Sequence, residues 1–178
     1  MLSSAVKDAL PEVKLAGLDT RGFWTGCSRR AFIARALAER SHPSSKVESF
    51  TAGLLQDMAV PVLASRRGED YTRVISRYRA GEGDLDQLER DELGMDHAQV
   101  GGQMARQWKL PASLVAAVQG HHGAGPVDDA VAAVAGIRFH DEQSVVEETL
   151  GVTGIEPGLL TDLVQSAFES ADDFARKM

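Results

Sequence analysis

Apolar residues recur at helical spacing along nearly the whole chain, and this periodicity restricts the fold more than any other feature. The alternation of β-branched and polar residues that marks a strand is almost absent. The predicted architecture is therefore all-α, a compact bundle of about eight helices. The predicted helices cover residues 23–40, 46–65, 70–80, 84–93, 96–108, 112–121, 127–139 and 157–175.

Proline and aspartate mark several of the predicted helix ends. Pro61 lies inside the segment 46–65 and is expected to kink or end that helix near Ala59. Asp84 and Asp96 are candidate N-caps, because a short carboxylate side chain can accept a hydrogen bond from a free backbone N–H of the first turn.

The composition excludes several classes of protein. The 178 residues include 19 basic and 26 acidic side chains, a formal net charge of −7, which disfavours broad binding to a nucleic-acid backbone. The single cysteine, Cys27, cannot form an internal disulfide and is expected to be a small buried side chain. No apolar run approaches the roughly 20 residues of a membrane span, and the N-terminus lacks a signal pattern. We therefore expect one cytoplasmic domain over residues 1–178 that binds neither nucleic acid nor membrane.

Three of the five histidines form the main candidate site for chemistry. His97 begins the helix 96–108, and His121 with His122 ends the helix 112–121. A tight turn makes these helices antiparallel, so the three imidazoles are expected at one end of a helical hairpin. Three imidazoles in one place can bind a metal ion.

Asp57 is the carboxylate that could complete such a site. It lies in an otherwise apolar segment, where burying an acid is costly unless the acid is paired or bound to a metal. The alternatives are that Asp57 pairs with an arginine and that the histidines only make local hydrogen bonds at helix ends. Side chains expected to lie on the solvated surface are Arg29, Arg30, Arg35, His42 and His140.

Several motifs, in this order, resemble those of the HDOD family, a degenerate branch of the HD superfamily of helical domains. Residues 50–58, F-T-A-G-L-L-Q-D-M, are similar to the G-L-L-H-D-I/M segment of HD domains. Residues 94–102, G-M-D-H-A-Q-V-G-G, resemble the family's G-x-D-H-A-x-V-G-A segment and follow Leu88 and Glu89, as its glutamate does. Further matches are Phe23 with Trp24, the W-x-L-P turn within residues 107–111, the pair His121 and His122, and residues 150–153.

The resemblance covers roughly residues 20–175 and implies how the domain is organised. It implies an HD-like part over about 20–150, followed by an amphipathic C-terminal helix over about 157–175. The D-P-x-L and N-S-x-x-Y type pattern of the family's N-terminal half is not found. The chain is therefore expected to begin close to the HD-like half.

Enzymes of the HD superfamily bind metal through a first histidine, a His-Asp doublet and a distal aspartate. Of this set only the aspartate of the doublet, Asp57, is retained here. The first histidine falls near Gly26, the histidine of the doublet is Gln56, and the distal aspartate falls near Gly136. Glycine offers no side-chain ligand, and an amide oxygen is a weak ligand for a transition metal.

His97, His121 and His122 match additional histidines of the HD-GYP phosphodiesterases, but the G-Y-P signature is missing; residues 123–126 read G-A-G-P. The resemblance therefore implies a remnant pocket with no catalytic residue, no resident metal and no cofactor. A divalent ion held in that pocket is the alternative. The residues of the pocket are Gln56, Asp57, His97, His121 and His122.

The resemblance implies a non-catalytic regulatory module of bacterial signal transduction that binds a signalling protein or a small ligand. The alternative is a metal-dependent phosphohydrolase or phosphodiesterase that acts on a nucleotide or a cyclic dinucleotide. Loss of most metal ligands argues against it, because hydrolysis needs an ion that polarises the phosphate and activates a water molecule. A third interpretation is an oligomerisation unit, with the apolar stripe over residues 159–174 as its interface.

Overall fold

The structure, a computed structural model, describes residues 20–123 and 155–176. Within these ranges all regular elements are helices, which confirms the all-α prediction. The predicted helix 127–139 lies outside the described residues. The α-helices are α1 (Thr20–Ser41), α2 (Lys46–Leu55), α3 (Val60–Arg67), α4 (Glu69–Arg79), α5 (Leu85–Leu93), α6 (His97–Gln107), α7 (Ala112–Gly120) and α8 (Pro157–Arg176), with a short 3-10 helix at Pro43–Ser45.

The segment predicted as one kinked helix over 46–65 is two helices. Helix α2 ends at Leu55, a turn covers residues 56–59, and α3 begins at Val60 with Pro61 in its first turn. Proline suits that position because its missing N–H has no helical partner there. The break therefore comes slightly before the predicted point at Ala59, and Gln56 and Asp57 lie in the turn.

Helix α1 packs against both α2 and α8 and contributes to the two larger apolar clusters. Ile33 and Leu37 pack with Leu160, Val164 and other buried residues of α8. Toward the other end of α1, a second cluster contains Trp24, Cys27, Ala31, Leu54, Leu55, Met58, Ala105 and Val118. Cys27 is fully buried, as expected, and burial raises the pKa of its thiol.

The arginines of α1 do not all point outward, and this expectation was wrong for two of them. Arg35 is exposed, as predicted. Arg29 is half-buried, pairs with Asp172 at 3.1 Å and lies over the ring of Phe168. Arg30 lies on the same side of α1 as Cys27, and only 12% of its side chain is exposed. A buried guanidinium needs a compensating carboxylate, and its partner belongs to the candidate site.

Helices α1 and α2 approach each other closely at Gly53. A Cβ atom placed on Gly53 would lie 3.1 Å from Cα of Ala31 and 3.2 Å from the carbonyl oxygen of Arg30. Backbone atoms cannot rotate away as a flexible side chain can. The absence of a side chain at Gly53 therefore sets the separation of these helices and brings α1 close to the turn that carries Asp57.

Replacing Gly53 with valine is expected to lower the free energy of unfolding by about 1–3 kcal/mol, because the added methyl groups force α1 and α2 apart. Urea denaturation followed by far-ultraviolet circular dichroism measures this change. The alanine variant should fall between wild type and valine. A valine variant as stable as wild type would show that this contact does not set the helix separation.

Among the helices in the described ranges, none has both the length and the apolar composition needed to cross a bilayer.

Candidate functional site

Helices α6 and α7 form the hairpin that carries the histidines. The side chain of Asp96 caps α6 by accepting a hydrogen bond from the backbone N–H of Gln99 at 2.8 Å, which confirms the predicted cap. In the turn to α7, Lys109 has a φ of 57°, a conformation uncommon outside glycine and asparagine. Helix α7 then ends at Gly120, and His121 and His122 follow it at the end of the hairpin where α6 begins.

The three imidazoles converge at this end of the hairpin, as their spacing predicts. Nε2 of His97 lies 3.2 Å from Nε2 of His121 and 2.9 Å from Nε2 of His122. One potential ligand atom from each histidine lies within 4.8 Å of the other two. His97 and His121 are buried, whereas His122 is exposed at the rim. The arrangement is that of a group able to share one bound cation.

Hydrogen bonds behind two of the rings determine which nitrogen carries the proton. Nδ1 of His97 lies 2.6 Å from Oε2 of Glu89, and Nδ1 of His121 lies 2.7 Å from the carbonyl oxygen of Val118. A carbonyl and an ionised carboxylate only accept hydrogen bonds, so both Nδ1 atoms must donate. In neutral His121, Nε2 therefore presents a lone pair toward the centre of the cluster, 3.2 Å from Nε2 of His97.

Glu89 is part of the site although the sequence analysis gave it no role. It is fully buried in α5 and accepts a hydrogen bond from the Tyr71 hydroxyl at 2.5 Å. Its other oxygen also accepts from the backbone N–H of His97 at 2.7 Å. Burial and the neighbouring Glu89 charge raise the pKa of Tyr71 well above its usual value, so the hydroxyl keeps its proton. Glu89 lies four residues after Leu85 and therefore on the same helix face, and an acid on that face was the signal available in the sequence.

Asp57 faces both the histidines and an arginine. Its Oδ1 atom lies 3.4 Å from Nε2 of His97 and 3.3 Å from Nε2 of His121. Its Oδ2 atom accepts a short hydrogen bond from Nη1 of Arg30 in α1. Asp57 therefore pairs with an arginine, as the alternative interpretation predicted, and it also lies beside the imidazoles. Arg30, expected on the surface, is the missed residue of this pair.

The surroundings keep two of the histidines neutral. Burial lowers the pKa of His121 to about 3, and repulsion from His97 adds to this effect. Partial burial and repulsion from His121 and His97 lower the pKa of His122 to about 3. Burial also lowers the pKa of Arg30 from its usual value. At neutral pH both His121 and His122 are therefore neutral imidazoles, the form that binds metal ions.

A metal of the HD type does not fit the positions that the resemblance assigns to it. Gly26 lies in α1 and has no side chain to offer, and Gln56 is a fully buried amide in the turn before α3. The distal position, Gly136, lies outside the described residues. The donors present on the described residues are instead the three imidazoles and Oδ1 of Asp57. Of the predicted pocket, Asp57 and the three histidines therefore come together, while Gln56 precedes Asp57 in the same turn.

Comparison with known proteins supports this fold. The family model for the HDOD domain matches residues 1–124. A candidate phosphohydrolase from Shewanella amazonensis SB2B is 22% identical, with a TM-score of 0.73, over 96% of this chain and 69% of that structure. An HDOD domain protein of unknown function from Geobacter sulfurreducens is 19% identical, with a TM-score of 0.69, over 96% of this chain and 65% of that structure.

The chain thus spans about two thirds of the length of these two relatives. At such low identity the likeness shows the helical fold. Among curated proteins no match was found.

Proposed function

The chain belongs to the HDOD domain family, and from this premise we propose that it is a non-catalytic regulatory module of bacterial signal transduction. In this proposal it acts by binding a signalling protein or a small ligand. The observation that carries the proposal is the altered doublet, in which Gln56 replaces histidine and Asp57 is paired with Arg30.

The altered doublet is a poor catalyst for chemical reasons. Hydrolysis of a phosphodiester by a metal site requires an ion that polarises the phosphate and lowers the pKa of the attacking water. The Arg30 guanidinium already compensates the charge of Asp57, which weakens the attraction of that carboxylate for a further catalytic ion. Gln56 contributes a neutral amide and Gly26 contributes nothing. Gln56 and Gly26 therefore remove two histidine ligands of the HD set, while the helical fold is kept.

The second candidate function is a metal-dependent phosphohydrolase acting on a nucleotide or a cyclic dinucleotide. The convergence of three imidazoles with Oδ1 of Asp57 favours it, since these atoms are metal ligands. The Shewanella relative, a candidate phosphohydrolase, has the same fold. This function takes second place because Gln56 stands in place of the histidine of the doublet and Asp57 is paired with Arg30.

Hydrolysis assays on the purified full chain separate the two functions. The substrates are bis(4-nitrophenyl) phosphate and a cyclic dinucleotide, each tested with Mn²⁺, Fe²⁺ and Zn²⁺. We expect the wild-type chain to hydrolyse bis(4-nitrophenyl) phosphate no faster than two variants, Asp57→Asn and His122→Ala. We expect the cyclic dinucleotide to be recovered intact. His122 is exposed, so its alanine variant should fold even if the Asp57 variant does not. A wild-type rate that is lost in His122→Ala would contradict the proposal.

A further inference from the structure

We propose that the groove between α1 and α8 binds an amphipathic helix of a partner protein, with an acidic edge of that helix against α1. The inference rests on the proposed regulatory function, for which it names the surface and the kind of partner. It uses no residue of the histidine cluster, which lies at the end of the α6–α7 hairpin.

Helices α1 and α8 leave a groove between them that is open to solvent and has a volume of about 530 Å³. It runs along residues 32–40 of α1 and residues 162–170 of α8. Each range covers about 12 Å, or about two turns of helix. A small-molecule site encloses most of its ligand, whereas an open groove of this length suits the apolar face of a short helix.

The floor of the groove is apolar. Leu163 and Ala167 of α8 line it although both are almost fully buried, and Ala36 lines it from α1. Phe32 of α1 packs edge-to-face on Phe174 of α8, with ring centroids 5.9 Å apart, and this contact joins the two walls. Covering such a floor removes apolar surface from water, which favours binding.

Leu159 extends the apolar side of the groove toward the beginning of α8. It precedes Leu163 by four residues and Ser166 by seven, so the three lie on one face of the helix. Leu159 is one of three exposed large apolar side chains in the part of the chain that the structure describes. A partner helix with apolar residues at i, i+4 and i+7 would cover it together with the floor.

The two walls of the groove differ in charge. Beside α1, Glu39 is paired with Arg35 at 3.2 Å and with Lys46 at 3.6 Å, and Arg40 has no ion-pair partner among the described residues. Three cations and one carboxylate make this wall positive, in a chain whose formal net charge is −7. The α8 wall carries Asp162, which likewise has no ion-pair partner within residues 20–123 and 155–176. The complementary helix therefore has acidic residues along α1 and a basic residue near Asp162.

The size of the groove favours a single helix over a second copy of this chain. Ten residues line the groove, whereas a stable interface between two globular proteins uses about 20–30 residues on each side. Helix α8 is described over its whole length, and Leu159 is its only exposed large apolar side chain. Little apolar surface therefore surrounds the groove to enlarge the contact.

The test uses the purified full chain and a fluorescently labelled synthetic peptide of about 15 residues. Leucines at helical spacing form the apolar stripe of the peptide, with glutamates along one edge and lysines along the other. Fluorescence anisotropy should show saturable binding to the wild-type chain. A peptide with alanine in place of every leucine should not bind, because it has no apolar face to cover the floor.

Ser166→Trp is expected to weaken peptide binding by at least about tenfold, because the ring fills the groove. Ser166 is exposed, so this variant should keep the melting temperature of wild type. The matched control is Gln165→Trp, since the neighbouring Gln165 is exposed on α8 but does not line the groove, and it should bind like wild type. Arg40→Glu tests the charge of the α1 wall and should weaken binding about fivefold.

Absence of binding to wild type, or the same affinity in Ser166→Trp and Gln165→Trp, would overturn the inference. Sedimentation equilibrium tests the other occupant. A dimer that dissociates in Ser166→Trp but not in Gln165→Trp would assign the groove to a second copy and would overturn the inference too. These readouts do not involve hydrolysis, so the groove can fail while the proposed function stands. Turnover in the hydrolysis assays would contradict the proposed function, with or without peptide binding.

Discussion

Replacing Arg30 with methionine is expected to lower the free energy of unfolding by about 3–5 kcal/mol. The side chains of Arg30 and Asp57 are each only 12% exposed, so neither charge is well solvated. Methionine fills much of the space of the arginine stem but leaves the carboxylate of Asp57 buried without its guanidinium. The cost comes from that uncompensated charge more than from the lost attraction.

Urea denaturation in the presence of a chelator measures this effect without a contribution from bound metal. The double variant Arg30→Met with Asp57→Asn should recover much of the lost stability, because the second change removes the unpaired charge. The matched control is Arg35→Met on the same helix, where the side chain is 48% exposed and a change below about 0.5 kcal/mol is expected. A loss in Arg30→Met no larger than in this control would refute a buried pair.

Replacing Leu160 with alanine is expected to lower the free energy of unfolding by about 2–5 kcal/mol. Leu160 is completely buried where α8 packs on α1, so truncation removes apolar contacts and leaves a cavity. The neighbouring residue provides a matched control, since Leu159 is 39% exposed and its alanine variant should change stability little. Urea denaturation of both variants gives the comparison, and similar losses in the two would show that α8 does not pack as described.

The packing of α8 on α1 covers part of the apolar stripe predicted over residues 159–174. Leu160, Leu163 and Val164 are buried against α1, so this part of the stripe is core. Leu159 remains exposed at its edge. The apolar surface of the stripe that remains exposed for an oligomer interface is therefore smaller than the sequence suggests.

The helices were predictable because each element's apolar spacing is local information. The convergence of the histidines was predictable too, since a short turn makes two helices antiparallel and brings the ends carrying His97 and His121 together. The break before Pro61 was located to within a few residues. These features depend on contacts between residues that are close in the sequence.

The burial of Arg30 and Glu89 was harder to predict. The charge of each side chain favours the surface, whereas its position on the helix favours the interior. Arg30 follows Cys27 by three residues and precedes Ala34 by four, so helical geometry puts it on the buried side. Its charge nevertheless suggested the surface. Its charge is compensated by the carboxylate of Asp57, which lies 27 residues away in the sequence. No local pattern connects Arg30 with Asp57. Predicting such a pair requires knowledge of how the helices pack.

The packing of α1 against α8 has a consequence for the growing chain during protein synthesis. Helix α1 ends at residue 41 and α8 begins at residue 157, so 156 − 41 = 115 residues of chain separate them. At roughly 5–20 residues per second, a ribosome needs roughly 6–23 s to make that length. Throughout that time Ile33 and Leu37 lack their partners on α8. An apolar helix face left uncovered for seconds is a site where the nascent chain can aggregate or bind a chaperone.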